Sequence, residues 1–374
     1  MKPTPLILIA HKDSKVHDPN ACHIGLGVTA NNTANFLNKH KIPAIAVSVI
    51  DGYDLRDGLR DNRWGNVTHV VMCAPFFDTQ FLHNLCLKFP DIRFTITYHS
   101  NAGFLGVDQW AMGVIGEQIT EQSLCSNFNV SVNSKKFANV LNKIYDTQPI
   151  NVLPNLYTLN SNTIYPVKKK WTNRKILKIG TFCAIRSLKN IPTAAFAAAI
   201  LCKKFGITVE FCIMKGRTED ILAEKIVNGI ERLFSHIPNL RLVQYEWREW
   251  NAFRDEVVSE MDILIQTSFT ESFNIVTADG IYCGIPSVVG EAIDWIPNYW
   301  KSNVDDAADV ARVAEKLMFT DSTSYDGYAK LVDHNNEALE LWKAWILRCN
   351  PTPHPEKKNC YIKKFFGKLK NIFS

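Results

Sequence analysis

Two carboxylates eight residues apart offer the first chemistry in this chain. Glu271 stands in a polar loop, 266–272, that follows a short apolar strand, 263–265. Asp279 falls on the second turn of a segment of helical pattern, 274–283. Gly284-Ile285-Pro286 and a second apolar run, 287–289, close the stretch. Strand, loop, helix, turn and strand make one βαβ step of a parallel sheet. In such sheets ligands lie beyond the carboxyl ends of the strands, against helix N-termini. The backbone N–H groups of Phe273, Asn274 and Ile275 fall between the two acids. Two acceptors flanking a row of donors can hold a ligand rich in hydroxyls. The competing reading is a solvated loop Glu and an Asp favoured by the helix dipole.

Cations stand in a second loop of the same kind. A strand, 175–180, is followed by Thr181 and by a loop carrying Arg186 and Lys189, and then by an Ala-rich helix, 191–205. A diphosphate needs fixed cations and helix N–H groups, and a loop before a helix supplies both. His99 closes another strand, 93–98, where it can face a ligand, although a lone His is more often a packing residue. Tyr245 closes strand 240–243 in the run Gln244-Tyr245-Glu246-Trp247. Near the start, Gly25, Gly27 and Ala30 fit a dinucleotide-binding fingerprint, with Asp51 about twenty residues on. That fingerprint needs its first Gly directly after the strand. Here about fifteen residues separate Gly25 from strand 6–10.

The stretch Glu271, Ser272-Phe273-Asn274, Asp279, Gly284-Ile285-Pro286 resembles the signature of retaining GT-B glycosyltransferases of carbohydrate-active family four. That signature is an acid, Gly-Phe-Gly, a Glu eight residues after the first acid, then Gly-x-Pro. This chain departs from it in having Asp279 for Glu, and Ser272 and Asn274 for the two glycines. The wording around 184–190 and 271–279 looks like bacterial and phage members. The resemblance spans about residues 5–348. It implies an α/β fold of two Rossmann-like doubly wound domains facing a cleft, with a nucleotide sugar, most often a UDP-sugar, as donor. Glu271 would bind sugar hydroxyls and Asp279 the ribose. Arg186 and Lys189 would hold the leaving diphosphate, and His99 would face the transferred sugar. The Gly25–Gly27 loop would approach the diphosphate or the acceptor. Thr181, Tyr245, Phe273, Asn274 and Ile275 would line the donor site. Retention would need neither a protein base nor a metal, and no other cofactor is implied.

The elements that position these residues read as strand–helix alternations in two sets. The first covers 1–157 and ends in strand 150–153 with Asn155; 158–174 is polar and Pro-interrupted, an expected linker. A second domain, 175–335, is followed by a helix at 337–348 that is expected to cross back to the first domain within 336–349. At 374 residues, with 46% hydrophobic and 21% charged residues, the chain suits a two-domain globular protein. It shows no signal peptide and no bilayer-length apolar run, and its ten cysteines form no Cys-x-x-Cys pair. Reduced thiols and a cytoplasmic setting are expected, rather than disulfides or structural zinc.

Residues 350–374 are distinct. Six of the 42 basic residues and one of the 37 acids lie in 351–374, which leaves the remainder with 36 of each. The body therefore exerts no net pull on nucleic acid. Apolar residues at helical spacing among the lysines of 357–374 predict a basic amphipathic helix, for an anionic membrane surface or a protein partner. The acceptor is open: a glycan, a lipid-linked glycan or a hydroxylated DNA base. Two alternatives to transfer stand beside it, a GT-B epimerase or phosphorylase and a non-catalytic binding protein on the same fold.

Overall fold

A computed structural model describes residues 5–13, 24–146, 148–159, 175–215 and 222–348. The expected tail helix and most of the expected linker lie outside these residues. The first half alternates β1 (Leu6–Lys12), α1 (Ile24–Lys39), β2 (Ala44–Val49), α2 (Gly52–Arg60), β3 (Val67–Met72), α3 (Thr79–Lys88) and β4 (Arg93–Tyr98). It continues with α4 (Ala102–Leu105), α5 (Gln109–Glu121), β5 (Phe128–Val132), α6 (Lys135–Ile144) and β6 (Asn151–Val152). The second half runs β7 (Ile176–Thr181), α7 (Ile191–Phe205), β8 (Thr208–Met214), α8 (Ala223–Phe234) and β9 (Leu240–Tyr245). After it come α9 (Trp250–Ala252), β10 (Ile263–Gln266), α10 (Ile275–Tyr282), β11 (Ser287–Val289), α11 (Ala307–Phe319) and α12 (Thr323–Arg348).

The strands form two parallel sheets, ordered β2-β1-β3-β4-β5-β6 and β11-β10-β7-β8-β9. Their central strands are largely buried on both faces, as the apolar runs of β1 and β10 require. Strand order reverses between β1 and β3 in the first sheet and between β7 and β10 in the second. Such reversals open a crevice at the carboxyl ends of the strands, because the flanking helices leave on opposite faces.

Three elements differ from the sequence pattern. Two helices, α4 and α5, fill a stretch to which no apolar period points, because α5 buries Gln118 and Glu121 among its apolar residues. Residues 250–260 form no single helix: α9 passes into a wide π turn, Phe253–Val257, and then a 3₁₀ turn, Val258–Glu260. The last helix begins at Thr323, well before 337. Ser324 anchors its start to the second domain through the Gly284 carbonyl. Trp342 and Trp345 end it in the first-domain core with Ile7, Ile9 and Leu37, and the Trp342 indole donates to the Pro154 carbonyl at 2.9 Å.

Candidate active site

The loops that follow β7 and β10 meet at the reversal point of the second sheet. Phe269 N donates to the Leu188 carbonyl at 3.0 Å, and Thr267 Oγ1 to the Asn190 carbonyl at 2.8 Å. That stitching fixes Lys189 against Glu271 in an ion pair whose side chains are only 15% and 12% exposed. Burial alone would push the Glu271 carboxyl up. The Lys189 ammonium, a Ser268 hydrogen bond and the nearby Arg186 outweigh burial and hold it below the usual carboxylate range.

Asn274 explains one departure from the glycine pattern. Its backbone takes φ 62° and ψ 90°, a region that glycine enters freely and that Asn tolerates better than most residues. The Asn side chain adds what glycine lacks. Its Oδ1 caps α10 by accepting from Thr277 N at 2.8 Å, and its Nδ2 donates to Glu271 Oε1 at 3.2 Å. Ser272 explains the other. Its hydroxyl donates to the His99 carbonyl at 2.7 Å and accepts from Asn133 Nδ2 at 2.9 Å, both in the first domain.

The first sheet thus closes over the second. Asn101 Nδ2 donates to the Glu271 carbonyl. The Arg186 guanidinium lies 4.9 Å from the centre of the Phe104 ring, and a Cβ on Gly103 would stand 3.3 Å from Thr270. Several polar atoms buried at this junction make no hydrogen bond among the described residues: His99 Nε2, Asn101 Oδ1, Asn133 Oδ1, Thr181 Oγ1 and Gln266 Nε2. Buried polar groups ordinarily find partners, in the protein, in water or in a ligand. Burial lowers the His99 imidazole to about 4, so it is neutral at pH 7 and offers nitrogens rather than charge.

Asp279 lies deeper than the spacing implies. It is 1% exposed, and its Oδ1 accepts from the Tyr157 hydroxyl at 2.6 Å and from the Trp250 indole at 3.0 Å. Its Oδ2 has no hydrogen-bond partner among the described residues. Arg254 stacks on Tyr282 and Trp250, at 4.0 and 4.9 Å, and completes the wall of this box. Burial raises the Asp279 carboxyl to about 7, against hydrogen bonds and the Arg254 charge that lower it.

The other sequence candidates scatter. Phe273 is buried and stacks on Trp295, 5.0 Å between ring centres, while Ile275 opens α10 and packs into the second-domain core. Tyr245 ends β9, three strands from β10, with its ring edge-on to Phe182. Gly25 and Gly27 lie in the first turn of α1, not in a loop before it. A Cβ on Gly27 would come within 3.3 Å of His11, which the sequence does not single out and which is the last but one residue of β1. Asn101, Asn133, Tyr157 and Trp250 are the other site residues that sequence misses. Asn101 and Asn133 carry a weak signal, because each falls just after an apolar strand.

No protein-family model matches this chain, and no curated protein matches it in sequence. Solved structures match it in fold. The chain superposes on S. aureus TarM, solved with UDP, at a TM-score of 0.52 and 14% identity, covering 76% of this chain and 55% of TarM. A UDP-forming trehalose-phosphate synthase from Burkholderia xenovorans matches at 0.57 and 10% identity, covering 92% and 98%. A glycosyltransferase from Rickettsia africae matches at 0.55 and 11%, covering 92% and 98%. The fold is GT-B. This chain spans about half of TarM's length, while it spans nearly all of the latter two.

Proposed function

We propose that this protein is a glycosyltransferase that moves a sugar from a nucleoside-diphosphate sugar to an acceptor hydroxyl with retention of configuration. The observation that carries the proposal is the buried Lys189–Glu271 pair at the sheet reversal, with Arg186 beside it. His99, Asn101 and Asn133 face the pair from the other domain. Lys189 and Arg186 would hold the donor diphosphate and neutralise charge as the bond from sugar carbon to phosphate oxygen breaks. Two fixed cations can do this without a divalent metal. Glu271 would accept hydrogen bonds from the sugar hydroxyls and hold the ring for attack. Neutral His99 would contact the same sugar. The acceptor oxygen would bond to the sugar carbon on the face that the diphosphate leaves, and a diphosphate oxygen would take the acceptor's proton.

Asp279 Oδ2 is the acceptor assigned here to a ribose hydroxyl. The UDP bound by TarM and the UDP formed by the trehalose-phosphate synthase support a uridine donor. The acceptor in this proposal is a glycan, a lipid-linked glycan or a hydroxylated DNA base. Thermal-shift screening of UDP-, GDP- and ADP-sugars tests the donor, because a ligand at a hundred times its Kd stabilises by about 2.7 kcal/mol. UDP-sugars should raise the melting temperature, and the product should keep the donor's anomeric configuration. No shift with any of the three, and no nucleotide release, would contradict the proposal.

A further inference from the structure

Two helices of the first domain bring together a set of side chains that the cleft does not use. His83 and Cys86 lie one turn apart on α3; α5 ends at Glu121, and Cys125 follows it. His83 Nδ1 stands 2.6 Å from Glu121 Oε1, and Cys125 Sγ stands 2.9 Å from the same oxygen and 3.5 Å from His83 Nδ1. One ligand atom from each of the three lies within 4.8 Å of the other two. Glu121 and Cys125 are buried, and His83 is half-buried. Cys86, one turn after His83, is buried too, but it is not among the three whose ligand atoms meet within that distance.

The backbone around these groups is held. Thr79 Oγ1 donates to Glu117 Oε2 at 3.1 Å and ties α3 to α5. Asn127 Nδ2 donates to the carbonyls of Cys86, Phe89 and Ile92, which pins the end of α3 to the loop carrying Cys125. Ligands presented from fixed backbone lose little freedom when a metal joins them.

We propose that His83, Glu121 and Cys125 form a three-ligand zinc site that staples α3 to α5. Thiolate, imidazole and carboxylate together suit zinc, and hard-cation sites use oxygen alone. Zinc bonds of about 2.0–2.3 Å set ligand atoms about 3.3–3.8 Å apart in a tetrahedron. The present spacings are those of hydrogen bonds, so small outward rotations admit the ion as the thiol proton leaves. The site shares no residue with the cleft around Glu271, and its role is structural. No Cys-x-x-Cys pattern announces it, because the ligands come as a single His and a distant Glu-x-x-x-Cys.

Cobalt titration of the full chain, reduced and stripped by a chelator, tests the site. One equivalent of Co²⁺ should give thiolate-to-cobalt charge-transfer absorption and the visible bands of tetrahedral cobalt. One equivalent of Zn²⁺ should abolish both, and should raise the melting temperature of the stripped protein. Cys125→Ser should remove the charge-transfer band. His83→Gln, at a half-exposed position, should weaken cobalt binding at least tenfold while leaving the metal-free melting temperature unchanged. The proposal is overturned by no absorption in the wild type, or by absorption that survives both substitutions. A Cys86–Cys125 disulfide in the protein purified without reductant, with no metal bound after reduction, overturns it too.

Discussion

Asp279 holds an acid where burial opposes its ionisation. Its folded carboxyl titrates at about 7, above the ordinary value of 3.8. Between these values the folded state keeps a proton that the unfolded state has lost, so this group's contribution to stability falls as pH rises from about 4 to 7. Each tenfold difference in proton affinity between the two states corresponds to about 1.4 kcal/mol. Asp279→Asn removes the titration and keeps the shape. Its melting temperature relative to wild type should climb steadily from pH 4 to 7 and then level off. A difference that does not change with pH would mean that Asp279 ionises freely. The acid itself is legible in the sequence, and so is its partner Glu271. The Tyr157 hydroxyl that covers it is not, because 122 residues separate them and no local spacing links the two.

At the scale of elements, the loop from 267 to 274 is what joins the domains. Ser272 makes two hydrogen bonds into the first domain, each contributing about 0.5–1.5 kcal/mol net. Ser272→Gly removes both and frees the backbone. Since about 1.4 kcal/mol is tenfold in an equilibrium, a total of about 1–3 kcal/mol should weaken UDP affinity by roughly five- to 140-fold if the donor binds the closed cleft. Unchanged affinity and unchanged melting temperature would show that the clasp does not hold the domains. Most strands are readable in the sequence, because double-sided burial demands unbroken apolar runs, as in β1 and β10. The helices are less so. The one at 109–121 buries polar side chains, and the glycines at 25 and 27 suggest a loop that the fold winds into helix.

For the whole molecule, α12 is the second connection between domains. It starts on α10 and ends with Trp342 buried against the first sheet. Trp342→Ala leaves a cavity and an unpaired Pro154 carbonyl, at a cost of about 3–5 kcal/mol. A melting temperature lower by several degrees is expected, and one within a degree of wild type would contradict this packing. Charge separates the tail from the body, since 351–374 carry the whole net charge of +5. Co-sedimentation with anionic vesicles should be lost when 355–374 are deleted, at roughly 1 kcal/mol for each Lys near the surface. Equal sedimentation of both forms would assign the lysines to another partner. No helix among the described residues is long and apolar enough to cross a membrane.

A diphosphate held against Lys189, beside Glu271, is the contact on which the proposed transfer depends. Calorimetric titration of UDP into the wild type, Lys189→Ala and Glu271→Gln, with donor turnover measured on the same samples, probes that contact. Lys189→Ala should lose at least about tenfold in UDP affinity and in turnover, because the cation acts on bound ground state and leaving group alike. Glu271→Gln removes the anion that competes for Lys189, so UDP should bind as tightly as before or more tightly while turnover falls at least about tenfold. Wild-type UDP affinity in Lys189→Ala, or wild-type turnover in Glu271→Gln, would contradict this placement of the donor.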